Sequence, residues 1–389
     1  MMIPSRPHIL FLCLLTISAF TASASDLAKK KEVSLTFQIT PTHTGQATTT
    51  GLKPPLKVKW SVNLGGNVSY SLIVGRKVFV IGGSSTSTIY ALNAKTGKTV
   101  WSQPSPSGWG TWIGIAYENG KIFAVPSGAN GAGAMAAYAA ADGHQLWTTT
   151  LTTQYVYSSP PTAWKGIVYT GGAGSGGTVY AVSEKDGTVL WTASVENGDD
   201  SSPAVTSTGV YVSYACPQSY RFNPKTGTQI WHFSGQCEGG GGDTPVLYHG
   251  LLYVRDLYDY STDGITLKAS DGTNVGGFNS AFAPAFHKGT GFYTETSSLT
   301  AVSVSNGKTL WSASPGSGDS YSSSAIAVNG VVYVGTANGN LLGYKATDGT
   351  NVVSMSMGSP ISGYSQQVGL SAGEGLLVVP ATSEVVALY

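Results

Sequence analysis

The chain has 389 residues, of which 41% are apolar and only 11% are charged, with 21 basic and 20 acidic side chains. This apolar content is enough for a substantial core. The low and balanced charge excludes an electrostatic surface for nucleic acid or for anionic lipid.

The first 24 residues have the pattern of a secretory signal peptide. Arg6 precedes an apolar run, Ile9–Phe20, that is too short to span a bilayer, and the A-x-A pattern at Ala22–Ala24 predicts cleavage near Ala24. Cys13 lies inside the apolar run, which does not fit the position of a lipid-anchor cysteine. We therefore expect an exported protein, periplasmic or extracellular, with no membrane span.

Residues 25–54 follow the signal and are predicted to be an exposed lead-in, with some extended character at Val33–Ile39. The folded domain is then expected to span residues 55–389.

One short pattern recurs seven times after this lead-in: an apolar strand, a polar turn with a glycine, and a second strand. The first copy reads YALNAKTGKTVW and ends at Trp101, and a glycine stands four positions before the last residue of every copy. The copies end 35 to 46 residues apart, and the two that lack the tryptophan end at Gly276 and Val353. Short strands at this period, without any helical pattern, indicate a radial β-array.

The two ends of the chain supply complementary parts of one further repeat. Lys57–Val62 has the alternation and the tryptophan of a last strand, whereas Gly375–Pro380 and Glu384–Tyr389 reproduce the middle of a repeat. Pairing between them would remove the unpaired sheet edges. The sequence therefore predicts an all-β, eight-bladed β-propeller of four-stranded antiparallel blades, closed by an N-terminal strand that completes the C-terminal blade.

The spacing of Ala, Gly and Trp, as in Ala91/Gly97/Trp101, resembles the tryptophan-docking motif of the quinoprotein-like (PQQ-like) propeller repeat. The resemblance extends from Lys57 to Tyr389. It implies that each outer-strand indole packs on the small alanine and on the glycine turn of adjacent structure, where burial stabilises the fold by roughly 3 kcal/mol. The tryptophans given this structural role are Trp60, Trp101, Trp147, Trp191, Trp231 and Trp311.

Propellers with this repeat fall into two functional classes, quinone-dependent dehydrogenases and non-catalytic binding proteins of the BamB type. The resemblance to the dehydrogenases implies a vicinal cysteine pair and a calcium site, but the sequence contains no Cys-Cys pair. Binding without catalysis, cofactor or metal is therefore favoured. A quinone-dependent oxidoreductase and a secreted polysaccharide lyase are the alternatives, the second disfavoured because only Arg76, Arg221 and Arg255 follow the signal.

Candidate binding residues lie in the connections between blades, which emerge on one face of a propeller around its axial funnel. Aromatic faces and carboxylates suit peptide segments or sugars, so we expect a protein or carbohydrate ligand. We also expect the protein to be a monomer. The alternative is that these residues only cap turns. The candidates are Trp109, Trp112, Tyr155, Tyr157, Asp199, Asp200, Asp243, Asp319, Tyr321 and Tyr364.

Two cysteines, Cys216 and Cys237, follow the signal. An even number in an exported protein favours a disulfide, and both residues are predicted in blade 4 loops on the same face, where their sulfur atoms can approach. Two free buried thiols are the alternative.

Overall fold

A computed structural model describes most of the chain. The described residues are 32–84, 86–106, 112–126, 133–151, 160–171, 177–196, 201–214, 218–235, 244–255, 263–361 and 369–389. Within them the backbone forms strands and turns that assemble into eight sheets, each of which is one blade.

The first four blades follow one another along the chain, each with its innermost strand first. Their strands are β3 (Leu72–Val74), β4 (Lys77–Gly82), β5 (Thr88–Asn93) and β6 (Thr99–Pro104) in blade 1; β7 (Trp112–Glu118), β8 (Lys121–Pro126), β9 (Gly133–Ala139) and β10 (Gln145–Leu151) in blade 2; β11 (Thr162–Trp164), β12 (Ile167–Thr170), β13 (Thr178–Ser183) and β14 (Val189–Ser194) in blade 3; and β15 (Ala204–Val205), β16 (Val210–Tyr214), β17 (Gln218–Phe222) and β18 (Gln229–Phe233) in blade 4.

The remaining blades include the two N-terminal strands, which join blades 7 and 8. Blade 5 holds β19 (Val246–Tyr248), β20 (Leu251–Arg255), β21 (Asp263–Lys268) and β22 (Asn274–Asn279); blade 6 holds β23 (Ala285–His287), β24 (Thr290–Thr294), β25 (Leu299–Ser303) and β26 (Thr309–Ala313); blade 7 holds β1 (Gln46–Ala47), β27 (Ile326–Val328), β28 (Val331–Gly335), β29 (Asn340–Lys345) and β30 (Asn351–Ser356); and blade 8 holds β31 (Ser371–Gly373), β32 (Leu376–Ala381), β33 (Glu384–Leu388) and β2 (Val58–Asn63).

Inner and outer strands of a blade differ in apolar pattern because they have different neighbours. Inner strands such as β4 and β9 are buried at nearly every position, since other blades cover both of their faces. In the outer strand β6, Trp101 is buried whereas its neighbours Val100 and Ser102 are exposed. The tryptophan is therefore the residue through which the outer strand contacts the core.

A β-bulge precedes the tryptophan position in every outer strand. In blade 1, Ala91 pairs with Trp101 but Leu92 pairs with Thr99, so Val100 has no cross-strand partner and is 47% exposed. The shift recurs in blades 5 and 7, whose outer strands lack the tryptophan. The backbone of the motif is thus kept even where the indole is absent.

The ring closes through its termini. β2 pairs with β33 in antiparallel register, and Lys57 and Tyr389 exchange backbone hydrogen bonds of 3.0 Å in both directions. The predicted eight-bladed, all-β propeller with a blade completed by the N-terminal strand is confirmed.

The described part of the lead-in, residues 32–52, is not exposed, and we refer to it as the channel segment. Phe37, Ile39 and Leu52 are at most 2% exposed. The segment runs once around the inner wall of the ring and contacts the blades in their chain order. Backbone N–H groups of Tyr117, Val205, Leu247, Phe286 and Ala327, in blades 2, 4, 5, 6 and 7, donate to the carbonyls of Leu35, Pro41, Thr42, Thr44 and Gly45 respectively.

The expectation of exposure was wrong because the innermost strands of a propeller present a ring of sheet edges. Unpaired N–H groups on these edges need acceptors, and the carbonyls of the polar channel segment supply them. The circuit starts and ends on blade 8, where the Glu374 N–H donates to the Glu32 carbonyl and the Gly375 N–H donates to Thr49 Oγ1, and on blade 1 Ser34 and Ile73 bond each other.

We call the end of the axial channel next to the short turns within blades the turn face, and the hydrogen bonds of the channel segment extend from there along the innermost strands. The opposite end, with the connections between blades, is the loop face. On the turn face Asn329 and Gly330 both have positive φ, at +51° and +83°, as a tight hairpin requires. The Asn329 amide also donates to the carbonyls of Thr49 and Leu52. Hairpin turn and channel segment therefore hold each other in place.

Candidate functional site: the loop face and the axial channel

Most of the predicted binding residues fall outside the described part of the chain. These are Trp109, Tyr155, Tyr157, Asp199, Asp200, Asp243 and Tyr364, together with Cys216 and Cys237.

Two predicted aromatic binding residues are buried. Trp112 is fully buried and packs edge-on against Tyr138, with ring centroids 6.2 Å apart. Tyr321 is 1% exposed, and its hydroxyl lies 2.9 Å from that of Tyr344. Both rings pack inside the propeller because they lie at or just before an innermost strand, where neighbouring blades converge. In this structure neither ring is presented to a ligand.

Asp319 is partly exposed at the loop face of blade 7, and both of its carboxylate oxygens accept hydrogen bonds. Oδ1 accepts from the backbone N–H groups of Ser320 and Asn338, and Oδ2 accepts from the Asn340 side chain at 3.0 Å. Burial opposes ionisation, but hydrogen bonds led by the one from Asn340 outweigh it and lower the pKa of Asp319. The ionised carboxylate therefore ties two connections of this face together.

A polar cluster that the sequence did not indicate lies inside the axial channel. His43 Nδ1 is 3.1 Å from the Pro245 carbonyl oxygen, and Nε2 is 3.3 Å from Thr162 Oγ1 and 3.4 Å from Ser202 Oγ. Burial lowers the pKa of His43 to about 4, although the bond to Pro245 opposes this shift. The ring is therefore neutral at neutral pH, with the proton on Nδ1 because a carbonyl only accepts.

Gln38 occupies the same channel and bridges two blades. Its Nε2 donates to the carbonyls of Ala283 and Ala325 at 3.2 and 3.3 Å. Together with His43 it connects blades 3 to 7 through side-chain hydrogen bonds. No sequence signal marked these residues, since an isolated histidine and glutamine in a polar segment match no motif.

The six tryptophans each reach across to the following blade, in an arrangement that we call the indole slot. In each slot the indole Nε1 donates to a carbonyl located three residues before the turn glycine of the next blade. The donor and acceptor pairs are Trp60–Ala94, Trp101–Ala140, Trp147–Glu184, Trp191–Pro224, Trp231–Ala269 and Trp311–Ala346, at 2.9–3.2 Å.

The turn glycine of the next blade forms the floor of each slot. A methyl group at Gly143 would lie 2.7 Å from the ring of Trp101, and one at Gly349 would lie 2.8 Å from the ring of Trp311. The alanine of the motif is instead the cross-strand neighbour of the tryptophan in its own blade, as in Ala91 and Trp101. The alanine and glycine of one repeat therefore contact two different tryptophans: Ala91 pairs with Trp101 of its own blade, and Gly97 receives Trp60 of the preceding blade.

Two arginines that a polysaccharide lyase could use for catalysis form hydrogen bonds to backbone carbonyls in this structure. Arg221 donates to the backbone carbonyls of Ala269, Ser270 and Thr208, and Arg255 Nη1 donates to the Ala281 carbonyl at 2.7 Å. Among the described residues, no three His, Cys, Asp or Glu side chains converge as a metal site would need.

A sequence model of one protein family matches most of the chain. The family is described as outer membrane protein assembly factor BamB, and the match covers residues 85–215 and 175–373. None of the curated protein sequences matches this chain.

Solved structures share the fold at low sequence identity. A europium-containing methanol dehydrogenase aligns with a TM-score of 0.72 at 12% identity, over 94% of this chain and 99% of the other. BamB from Moraxella catarrhalis aligns with a TM-score of 0.64 at 15% identity, over 86% of this chain and 97% of the other. Quinohemoprotein alcohol dehydrogenase from Comamonas testosteroni gives 0.71 at 14% identity, over 95% and 82%.

Within the parts of the chain that are described, no helix is long and apolar enough to cross a membrane.

Proposed function

We propose a binding function without catalysis for this chain, which belongs to the PQQ-like β-propeller family described as outer membrane protein assembly factor BamB. The ligand that we assign is a polypeptide segment of a partner protein, bound at the loop face.

The observation that carries this proposal is the position of the channel segment. It contacts all eight blades along their innermost strands, Phe37 and Ile39 are buried in it, and His43 is bonded to three blades. The axial channel is therefore already occupied by the protein's own chain. The surface that remains for a partner is the rim formed by the connections between blades, to which the predicted aromatic residues Trp109, Tyr155 and Tyr157 belong.

A photo-cross-linking experiment tests the location and the class of ligand. A benzophenone amino acid is placed at position 109 or 157 on the loop face, and in control variants at Lys185 or Lys225, which are exposed on the turn face. We expect one polypeptide to be cross-linked from the loop-face positions and not from the controls. Cross-linking only from the controls would contradict the proposal, and glycan-array binding without a cross-linked polypeptide would assign a carbohydrate ligand instead.

A quinone-dependent oxidoreductase is the second candidate, supported by the similarity of the ring to methanol dehydrogenase. The residues of this chain do not fit a quinone with its calcium ion. The sequence has no adjacent cysteines, and the described residues bring no cluster of three carboxylate, thiol or imidazole groups together. Addition of pyrroloquinoline quinone and Ca²⁺ to the purified protein separates the two candidates. A bound chromophore after gel filtration would favour the oxidoreductase.

We further propose that the protein is exported, with a signal peptide cleaved near Ala24. The support is the basic residue, short apolar run and A-x-A pattern of the first 24 residues. Amino-terminal sequencing of protein recovered outside the cytoplasm tests this; a mature chain that starts at Met1 would contradict it.

A further inference from the structure

The interface between blades 5 and 6 contains an indole slot without an indole. Blade 6 has the acceptor side of a slot, with the turn glycine Gly307 at φ +68° and the Val304 carbonyl three residues before it. The position that would supply the ring is Gly276 of β22, paired with Thr266 behind the bulge at Val275. A methyl group added at Gly307 would meet nothing within 4 Å, whereas those at the glycines of the six filled slots would lie within 3.0 Å of an indole.

A cavity of about 710 Å³ occupies this position on the side of the ring. Gly276 and Gly307 both line it, as does an aromatic wall of Tyr253, Phe278 and Tyr293. In that wall Phe278 lies 5.5 Å from Tyr253 and 5.2 Å from Tyr293, measured between ring centroids. The lining therefore offers apolar surface that a planar ring would bury.

The missing tryptophan at blade 7 has a different explanation. Val353 occupies the tryptophan position there and is 4% exposed, packed in a core cluster with Leu377 and Leu388. In blade 8 the corresponding turn is replaced by the paired chain ends at Lys57 and Tyr389. Blade 8 thus has no glycine turn to receive an indole, whereas blade 6 has one. The interface between blades 5 and 6 is the place where acceptor geometry exists without its ring.

We propose that this vacant slot binds a tryptophan side chain from an extended segment of a partner polypeptide. The six filled slots define the chemistry: a ring stacked on the turn glycine and an N–H donated to the carbonyl three residues earlier, which is that of Val304 in blade 6. β22 is the outer strand of its sheet, and Gly276 and Gly277 place no side chain along its edge. An extended segment approaches such an edge by adding backbone hydrogen bonds. This site is separate from the loop face.

The probe for this site is a ten-residue Thr/Val-rich peptide with one 5-fluorotryptophan, observed by fluorine NMR. We expect saturable binding to the wild-type protein. Gly307→Ala should weaken it at least tenfold, because the added methyl group occupies the position where the ring stacks. Gly330→Ala is the matched control, since Gly330 has a similar φ of +83° and open space around it but lies on another blade.

Four outcomes overturn the inference. Absence of saturable binding to the wild type excludes the site. Equal affinity for the Gly307→Ala and Gly330→Ala variants, both shown to be folded by circular dichroism, excludes this slot. If the wild-type protein binds a peptide with 4-fluorophenylalanine as tightly as the 5-fluorotryptophan peptide, indole recognition is excluded. This comparison needs no variant of the protein. Free N-acetyl-tryptophanamide should bind at least tenfold more weakly than the peptide; equal binding would overturn the assignment to a polypeptide segment.

Discussion

Trp311 and Gly349 lie in contact across the interface between blades 6 and 7, where the indole also donates a 3.1 Å hydrogen bond to the Ala346 carbonyl. The glycine is required here for two separate reasons. Its backbone has φ +72°, which side chains disfavour, and its surface is covered by a ring. Gly307 has nearly the same φ, at +68°, but no ring above it.

This pair gives a stability comparison in which the backbone cost cancels. Gly349→Ala and Gly307→Ala should each lose about 1–2 kcal/mol from the left-handed backbone. Gly349→Ala should lose about 1–3 kcal/mol more, because its methyl group overpacks against Trp311. Urea unfolding measures both, and equal destabilisation of the two variants would contradict the docking geometry.

Removal of a slot indole should be among the most destabilising single substitutions in the ring. Trp191→Ala deletes a buried ring and one of the two hydrogen bonds to the Pro224 carbonyl, which keeps the bond from the Tyr169 hydroxyl, so we expect a loss of about 3–5 kcal/mol. Trp191→Phe keeps a ring but removes the N–H and should cost less. The exposed neighbour Leu190 provides a control, since Leu190→Ala should change the free energy of unfolding by less than about 1 kcal/mol. Wild-type stability in Trp191→Ala would show that the ring does not anchor the interface.

His43 should make stability depend on pH in a defined window. Its pKa is about 4 in the folded protein and about 6.5 when unfolded, so the unfolded state binds more protons between these values. The contribution is fully present above pH 6.5 and is lost as pH falls towards 4, by up to about 3 kcal/mol. The difference in stability between wild type and His43→Asn should therefore shrink across this window. A difference that is the same at pH 7.5 and pH 4.5 would exclude a buried neutral imidazole.

Closure by the terminal strand predicts the effect of its removal. Deletion of residues 57–64 removes β2 and Trp60 and leaves the edge of β33 unpaired. We expect a large drop in melting temperature and concentration-dependent association. Sedimentation velocity and calorimetry test this together, and a monomer with the wild-type melting temperature would argue that β2 is not needed for closure.

The propeller ring could be predicted from the sequence because each repeat has a recognisable local pattern. The glycine turn and Trp101 recur at a fixed offset, and Trp60 stands in a strand whose partners appear at the other terminus. The partner of each glycine was not accessible, since local spacing does not show that Gly143 contacts the tryptophan of the preceding blade. The burial of Trp112 was missed for a related reason: a residue beside a connection was assigned to the loop when it belongs to an inner strand.

The channel segment was missed because its role depends on backbone carbonyls and not on side-chain pattern. Residues 40–50 read as a polar stretch, TPTHTGQATTT, with no alternation. Nothing in such a stretch marks that Pro41, Thr42 and Thr44 would meet the edges of three blades. A propeller has unpaired N–H groups along the edges of its innermost strands, so the need for acceptors there could have been inferred from the predicted fold.

The route of the channel segment also constrains the order of folding. The segment is among the first residues of the domain to be made, yet Glu32 near its start and Thr49 near its end bond Glu374 and Gly375, close to the last residues of the chain. Contacts of such sequence separation form late, so its backbone bonds cannot all form before blade 8 exists. Once β2 has paired with β33, the segment lies inside a closed ring and leaves only when that ring opens. Its buried amides are therefore expected to exchange with solvent at the rate of global unfolding.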